Sequence, residues 1–100
     1  MEVDLSFLLN KYIERAELTH DYLQLFFVDS SILNIFNSYR LDSELEKIKS
    51  SRLVGLQILE NNIDIKLSCG AIISIDMSED GYNGPEAMEY CANGQVVIIG

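Results

Sequence analysis

From residue 22 onward, hydrophobic and polar positions alternate: Leu23, Leu25 and Phe27 stand at every second place, and Leu33 and Ile35 resume the pattern after a polar break. Forty residues later the same places carry Ile63, Ile65 and Leu67, then Ile73 and Ile75. Period two marks a half-buried strand, and its recurrence predicts a duplicated β unit. Upstream, residues 12–18 match residues 53–59 at an offset of 41, which puts a one-residue length difference into the turns at 19–21 and 60–61. Each copy, over 12–37 and 53–77, is expected to be a three-stranded antiparallel meander.

Turn chemistry sets the register. A three-residue loop of Ser68, Cys69 and Gly70, with Gly70 left-handed, pairs Leu67 with Ala71, Ile65 with Ile73 and Ile63 with Ile75, so the apolar side chains share one face. A two-residue loop would set Ile65 against Ser74 and scramble the faces. The first copy has the same loop as Val28, Asp29 and Ser30, with Ser30 where Gly is preferred, which predicts strain. Asn93 and Gly94, between 88–92 and 95–99, signal a two-residue type I′ hairpin. Ser43 followed by Glu46 is a capping-box pattern, and Leu45 and Ile48 on one face predict a short helix over 43–49. Residues 3–10 fit either a short amphipathic helix or an irregular lead-in. The expected fold is one domain over 1–100, all-β or β-rich α+β, with eight strands including a C-terminal hairpin at 88–99.

Under this register Tyr22, Phe26, Ile32 and Phe36 occupy the opposite face of the first meander, whereas their counterparts Asn62, Lys66, Ile72 and Asp76 are more polar. One copy therefore has two apolar faces. Leu5, Leu8 and Leu9 or the 43–49 helix are expected to cover the second of them; the alternative is a protein-binding or dimer patch.

Composition narrows the classes. With 100 residues, 48% of them apolar, and a single Pro, the chain can bury a core and is unlike a disordered protein. The net charge is −9, and from Leu53 onward seven acids face Lys66 as the one base. Such a field repels phosphate backbones and anionic headgroups, which argues against nucleic acid or membrane as a direct partner. No apolar stretch approaches the ~20 residues of a membrane span, and Glu2 and Asp4 stand where a signal peptide would be basic, so a cytoplasmic location is expected. Cys69 and Cys91 read as reduced, buried small hydrophobes. With His20 they fall short of the four ligands of a structural zinc site.

Candidate chemistry is sparse. His20 sits in a predicted turn beside Asp21, with no nucleophile elbow to make it part of a triad, and reads as a solvated turn residue. Asp76, Ser78, Asp80 and Gly81 match positions 1, 3, 5 and 6 of a calcium loop, but position 12 falls on Ala87 instead of a bidentate Glu. No Gly-rich run opens a helix after a strand, as a phosphate cradle requires. Glu79 with Asp80, and Glu86 with Glu89, read as surface charge without a catalytic cleft. No catalytic residue, metal or cofactor is expected.

In its size, acidity and few cysteines the chain resembles small acidic bacterial immunity proteins of contact-dependent inhibition and bacteriocin-like toxin systems. The stretch 76–88, with Tyr82, Asn83, Gly84, Pro85, Glu86 and Ala87, is similar to the ending of small bacterial proteins associated with such toxins. The resemblance covers the C-terminal third, and no binding residue transfers from it position by position. It implies a non-enzymatic inhibitor whose partner is a basic, nuclease-like toxin domain. For such a partner Asp76, Glu79, Asp80, Glu86 and Glu89 would supply the field and Tyr82 an aromatic anchor. A competing expectation is an assembly protein, joined as a homodimer through the aromatic face or an unpaired edge at 95–99. A third is a small ligand-binding domain with a pocket between the meanders.

Overall fold

The computed structural model describes residues 4–100, and the alternating segments form the strands their pattern predicts. β1 (Ile13–Thr19), β2 (Tyr22–Phe27) and β3 (Ile32–Ile35) make the first meander; β5 (Leu53–Ile58), β6 (Asn62–Leu67) and β7 (Ile72–Asp76) make the second. β8 (Met88–Ala92) and β9 (Gln95–Ile99) are the hairpin, and α1 (Leu45–Ile48) is one helical turn between the units. A ninth strand, β4 (Tyr39–Leu41), stands where none was expected. Its three residues are too few for alternation to register.

The strands form two antiparallel sheets, ordered β1-β2-β3-β8-β9 and β4-β7-β6-β5. Each meander is therefore extended by a strand from the other half of the chain. The two exchanges are equivalent: Met88 faces Ile35 as Tyr39 faces Ile75, and Tyr90 faces Leu33 as Leu41 faces Ile73. Each exchanged ladder runs one residue further, with Phe36 N–H bonded to the Ala87 carbonyl and Asp76 N–H to the Ser38 carbonyl, both at 2.9 Å. Between the sheets Leu23, Leu25, Phe27, Leu33 and Ile35 meet Ile63, Ile65, Leu67, Ile73 and Ile75 in one buried cluster. Burial of each such side chain contributes roughly 1.5–3 kcal/mol, so the apolar face dictates the register.

Strand pairing fixes a constant offset of 40 between the units, which overturns the offset of 41 read upstream. Ile13 faces Phe27 as Leu53 faces Leu67, and both first strands are bulged at the next residue, Glu14 in one and Val54 in the other. A bulge reverses the phase of alternation, so matching by hydrophobicity alone slides Tyr12 onto Leu53. The backbone places Tyr12 on Arg52. The turns are equal in length, with Thr19 paired to Tyr22 around His20 and Asp21, and Leu59 N–H bonded to the Asn62 carbonyl around Glu60 and Asn61.

The duplication also reaches further back than residue 12. Leu8 and Ile48 are equivalent and fully buried, and Asn10 and Ser50 are both left-handed, with φ of 70° and 71°. Asn10 N–H bonds the Leu53 carbonyl and Ser50 N–H the Ile13 carbonyl, each at 2.8 Å. Tyr12 and Arg52 pair with each other in an isolated antiparallel bridge, so a pseudo-twofold axis passes between them. The lead-in is a 3-10 turn at Ser6–Leu8; Val3, where that expectation began, lies outside the described residues. The capping box is not formed. Glu44, extended and without a side-chain cap, precedes a helix that starts at Leu45. Asp42 instead accepts the Ile72 N–H at 2.9 Å, which holds the chain against β7 and delays the turn. Both cysteines are free, as expected, but neither is buried: Cys69 is exposed in its loop and Cys91 is half-buried.

Both three-residue loops take the expected form. Gly70 N–H bonds the Leu67 carbonyl and Ser30 N–H the Phe27 carbonyl, with Gly70 at φ 96° and Ser30 at φ 74°. Ser30 thus holds a conformation that disfavours a Cβ. The loop is pinned by Asp29, which accepts the Ser31 N–H and hydroxyl and pairs with Lys11. The Lys11 and Ser31 hydrogen bonds lower its carboxyl pKa to about 2. Replacing Ser30 by Gly should stabilise the fold by about 0.5–1 kcal/mol, read as a higher Tm in thermal unfolding. Because the folded pKa of Asp29 is depressed, its contribution is fully present above the ordinary value of 3.8 and is lost as pH falls toward about 2. Asp29→Asn should flatten the acid limb of a stability-versus-pH curve in that window and leave its slope above pH ~5 unchanged.

Candidate partner-binding site

The face carrying Tyr22, Phe26, Ile32 and Phe36 is not covered as expected. Leu5, Leu8 and Ile48 enter the core between the sheets, and Leu9 is exposed. The reason is the duplication: Leu5 and Leu8 occupy the places of Leu45 and Ile48 and close the ends of the same core. On the open face the Arg15 guanidinium lies 3.9 Å from the centre of the Phe26 ring. Beside it a polar row crosses the sheet, in which Thr19 donates to Gln24, Gln24 to Asn34, and Asn34 to Glu89.

At one end of this face Tyr22 and Phe36 meet edge to face, with ring centres 5.1 Å apart. The link that follows β7 folds over them, and the Asn83 side chain donates to the Phe36 carbonyl at 2.9 Å. Together they line a cleft of about 330 Å³, with Tyr22 and Phe36 as floor, Asn83, Gly84 and Pro85 as wall, and Asp21 and Glu86 at the rim. An apolar floor under two carboxylates suits a side chain with an apolar stem and a cationic head.

The pseudo-twofold axis carries this cleft onto a second one, of about 300 Å³, lined by Asn61, Asn62 and Asp76 with Ser38, Tyr39, Arg40 and Ser74. Asn61, Asn62 and Asp76 are the counterparts of Asp21, Tyr22 and Phe36. The two differ: Asn62 and Asp76 stand in the places of Tyr22 and Phe36, and a cation, Arg40, is present beside Tyr39. Their walls differ because three residues separate Ile35 from Tyr39, whereas twelve separate Ile75 from Met88. The longer link supplies Asn83, Gly84 and Pro85.

The sequence-predicted residues fall into three environments. Asp76 is held by the Ser78 N–H and hydroxyl, and these bonds, with Arg40 nearby, lower its pKa. Glu79 and Asp80 are exposed in a 3-10 turn, Glu79–Gly81. That turn needs a glycine, since a Cβ on Gly81 would lie 2.4 Å from the Asp76 carbonyl oxygen. Tyr82 is half-buried and its hydroxyl donates to the Gly100 carbonyl at 3.3 Å, so it anchors the link to the chain itself. Glu86 lines the aromatic cleft, and Glu89 lies apart on the open sheet face, accepting from Asn34 and Cys91. Burial and Glu89 push the Cys91 thiol up. His20 is exposed in its turn at φ 53°.

The two ion pairs among the described residues, Lys11–Asp29 and Arg15–Glu17, involve none of the six predicted residues. Among those residues no group of three or more His, Cys, Asp and Glu could hold a metal ion, and no helix is long and apolar enough to cross a membrane. Comparison with protein-family models, curated proteins and solved structures finds no match. Sequence reading missed Asp21 and Phe36 as partners of Glu86. Two signals could have found them: the aromatic residues at 22 and 36 against Asn62 and Asp76, and the unequal links between equivalent strands.

Proposed function

We propose that this protein is a non-enzymatic acidic binding module that captures a basic macromolecule, and that it acts in the cytoplasm as an immunity protein against a basic, nuclease-like toxin domain. The aromatic cleft is the recognition site: Tyr22 and Phe36 receive the apolar stem of a Lys or Arg of the partner, and Asp21 and Glu86 meet its charge. Glu79 and Asp80 steer the encounter. The observation that carries this reading is the difference between two symmetry-related clefts: one has Tyr22 and Phe36 with two carboxylates, where the other has Asn62 and Asp76 with Arg40. Support also comes from the net charge of −9 and from the absence of ion pairs at the five predicted acids among the described residues. Long-range attraction of this kind accelerates association, while buried contacts set the dissociation rate.

Affinity capture from the source cell should yield a protein of basic isoelectric point whose retention falls steeply between ~50 and ~300 mM salt. With that partner in hand, Asp21→Lys combined with Glu86→Lys should weaken binding at least about tenfold, mainly through faster dissociation. Glu79→Lys with Asp80→Lys should slow association and flatten its salt dependence. Capture of an acidic or neutral partner, or binding indifferent to both reversals, contradicts the proposal.

A further inference from the structure

The two sheets expose four edge strands, and three of them are blunted against pairing. β1 is bulged after Ile13, carries Glu14, Arg15 and Glu17, and has α1 packed on it. β5 is bulged after Leu53 and contains Gly55. β4 is three residues long with Arg40 at its centre. Charge, bulges and brevity are the devices that keep sheet edges from joining. β9 has none of them. Its five residues, Gln95–Ile99, bear no charge, and their register against β8 is unbroken from Met88↔Ile99 to Ala92↔Gln95. Val96, Val97 and Ile98 are 56%, 46% and 48% exposed.

The hairpin fixes which backbone groups this edge offers. Asn93 and Gly94 both have positive φ, 52° and 76°, as a type I′ turn requires. Such a two-residue loop closes on a hydrogen-bonded pair, here Ala92 with Gln95, so alternation makes Tyr90 with Val97 and Met88 with Ile99 the next bonded pairs. The N–H and C=O groups of Val96 and Ile98 therefore point away from β8. The edge is also self-complementary. A second β9, antiparallel and centred on Val97, sets Val96 opposite Ile98 of the other copy, so the two exchange both hydrogen bonds, twice over across the twofold axis. From Val96 to Ile98 every cross-strand pair in that register is apolar on apolar, and Gln95 lies opposite Ile99 at each end.

We propose that two copies of this chain associate through β9, joining their five-stranded sheets into one continuous sheet with Val97 on the twofold axis. Val96 and Ile98, which share the outer face with Glu89 and Cys91, form an apolar cluster on one side, and Val97 meets its copy on the other. The strand pair is small beside standard interfaces, so self-association is weak and concentration-dependent. Both copies carry −9, so salt strengthens it by screening their repulsion. That sign is opposite to the salt dependence of a basic partner at the aromatic cleft, and the two proposals stand or fall separately.

Sedimentation velocity over a concentration series should show a monomer–dimer equilibrium that shifts toward dimer from ~50 to ~500 mM NaCl. Val97→Lys, which sets two ammonium groups face to face, and Val96→Pro, which removes an outward N–H without touching the β8 ladder, should each leave a monomer with an unchanged circular dichroism spectrum. In the unmodified protein, hydrogen exchange of the Val96 and Ile98 amides should slow as concentration rises, a readout that needs no variant. A protein that stays monomeric at millimolar concentration, a dimer untouched by both folded variants, or concentration-independent exchange at Val96 and Ile98 overturns the proposal.

Discussion

Neither half of this chain completes its own sheet. Each meander presents β3 or β7 as an unfinished edge, and a strand from the other half, β8 or β4, closes it. This exchange holds the apolar faces of the two units together, since the strand that finishes one sheet is tethered to the other. Leu33 and Ile35 pair with Tyr90 and Met88, and Ile73 and Ile75 with Leu41 and Tyr39, so the core residues sit at the exchanged ladders themselves. Separating the sheets would expose the core and strip two ladders together. Asn37 sits at the first crossing, buried, its amide donating to the Asp76 carbonyl at 2.8 Å.

Given that symmetric frame, the departures from it are informative. The connection from Ile75 to Met88 is nine residues longer than its counterpart from Ile35 to Tyr39, and β9 has no counterpart in the first unit. The long link folds over Tyr22 and Phe36 and supplies the wall of their cleft. The extra strand puts a longer, uncharged edge where the other sheet ends in the three residues of β4. Elsewhere the units differ mainly in side-chain chemistry, as at Arg40 and Glu89, equivalent outer positions of opposite charge on the two sheets. The two additions to the duplicated frame are thus the wall of the aromatic cleft and the edge strand β9.

The strands of both meanders were legible because Leu23 to Ile35 and Ile63 to Ile75 alternate cleanly, and the three-residue loops followed from Gly70. What was not legible has local causes. Bulges at Glu14 and Val54 broke the phase and hid the true offset; β4 was too short to show a period; and Ser43 could not cap a helix while Asp42 was engaged with Ile72. Of the site, Glu86 and its link were marked by loop composition. Phe36 was marked only as part of the aromatic face, and Asp21 and the link between them and Glu86 were not, because the cleft joins positions 21, 36 and 86 through a crossing that no sequence-local pattern encodes.

The central claim is that divergence of two equivalent clefts made one of them the recognition site, and the other serves as its internal control. Amide chemical-shift mapping during titration with the captured basic partner tests this most directly. The account predicts large perturbations at Asp21, Tyr22, Phe36, Asn83, Gly84 and Glu86, and small ones at Asn61, Asn62 and Asp76. Equal perturbation of both clefts, or perturbations confined to the second, would contradict it.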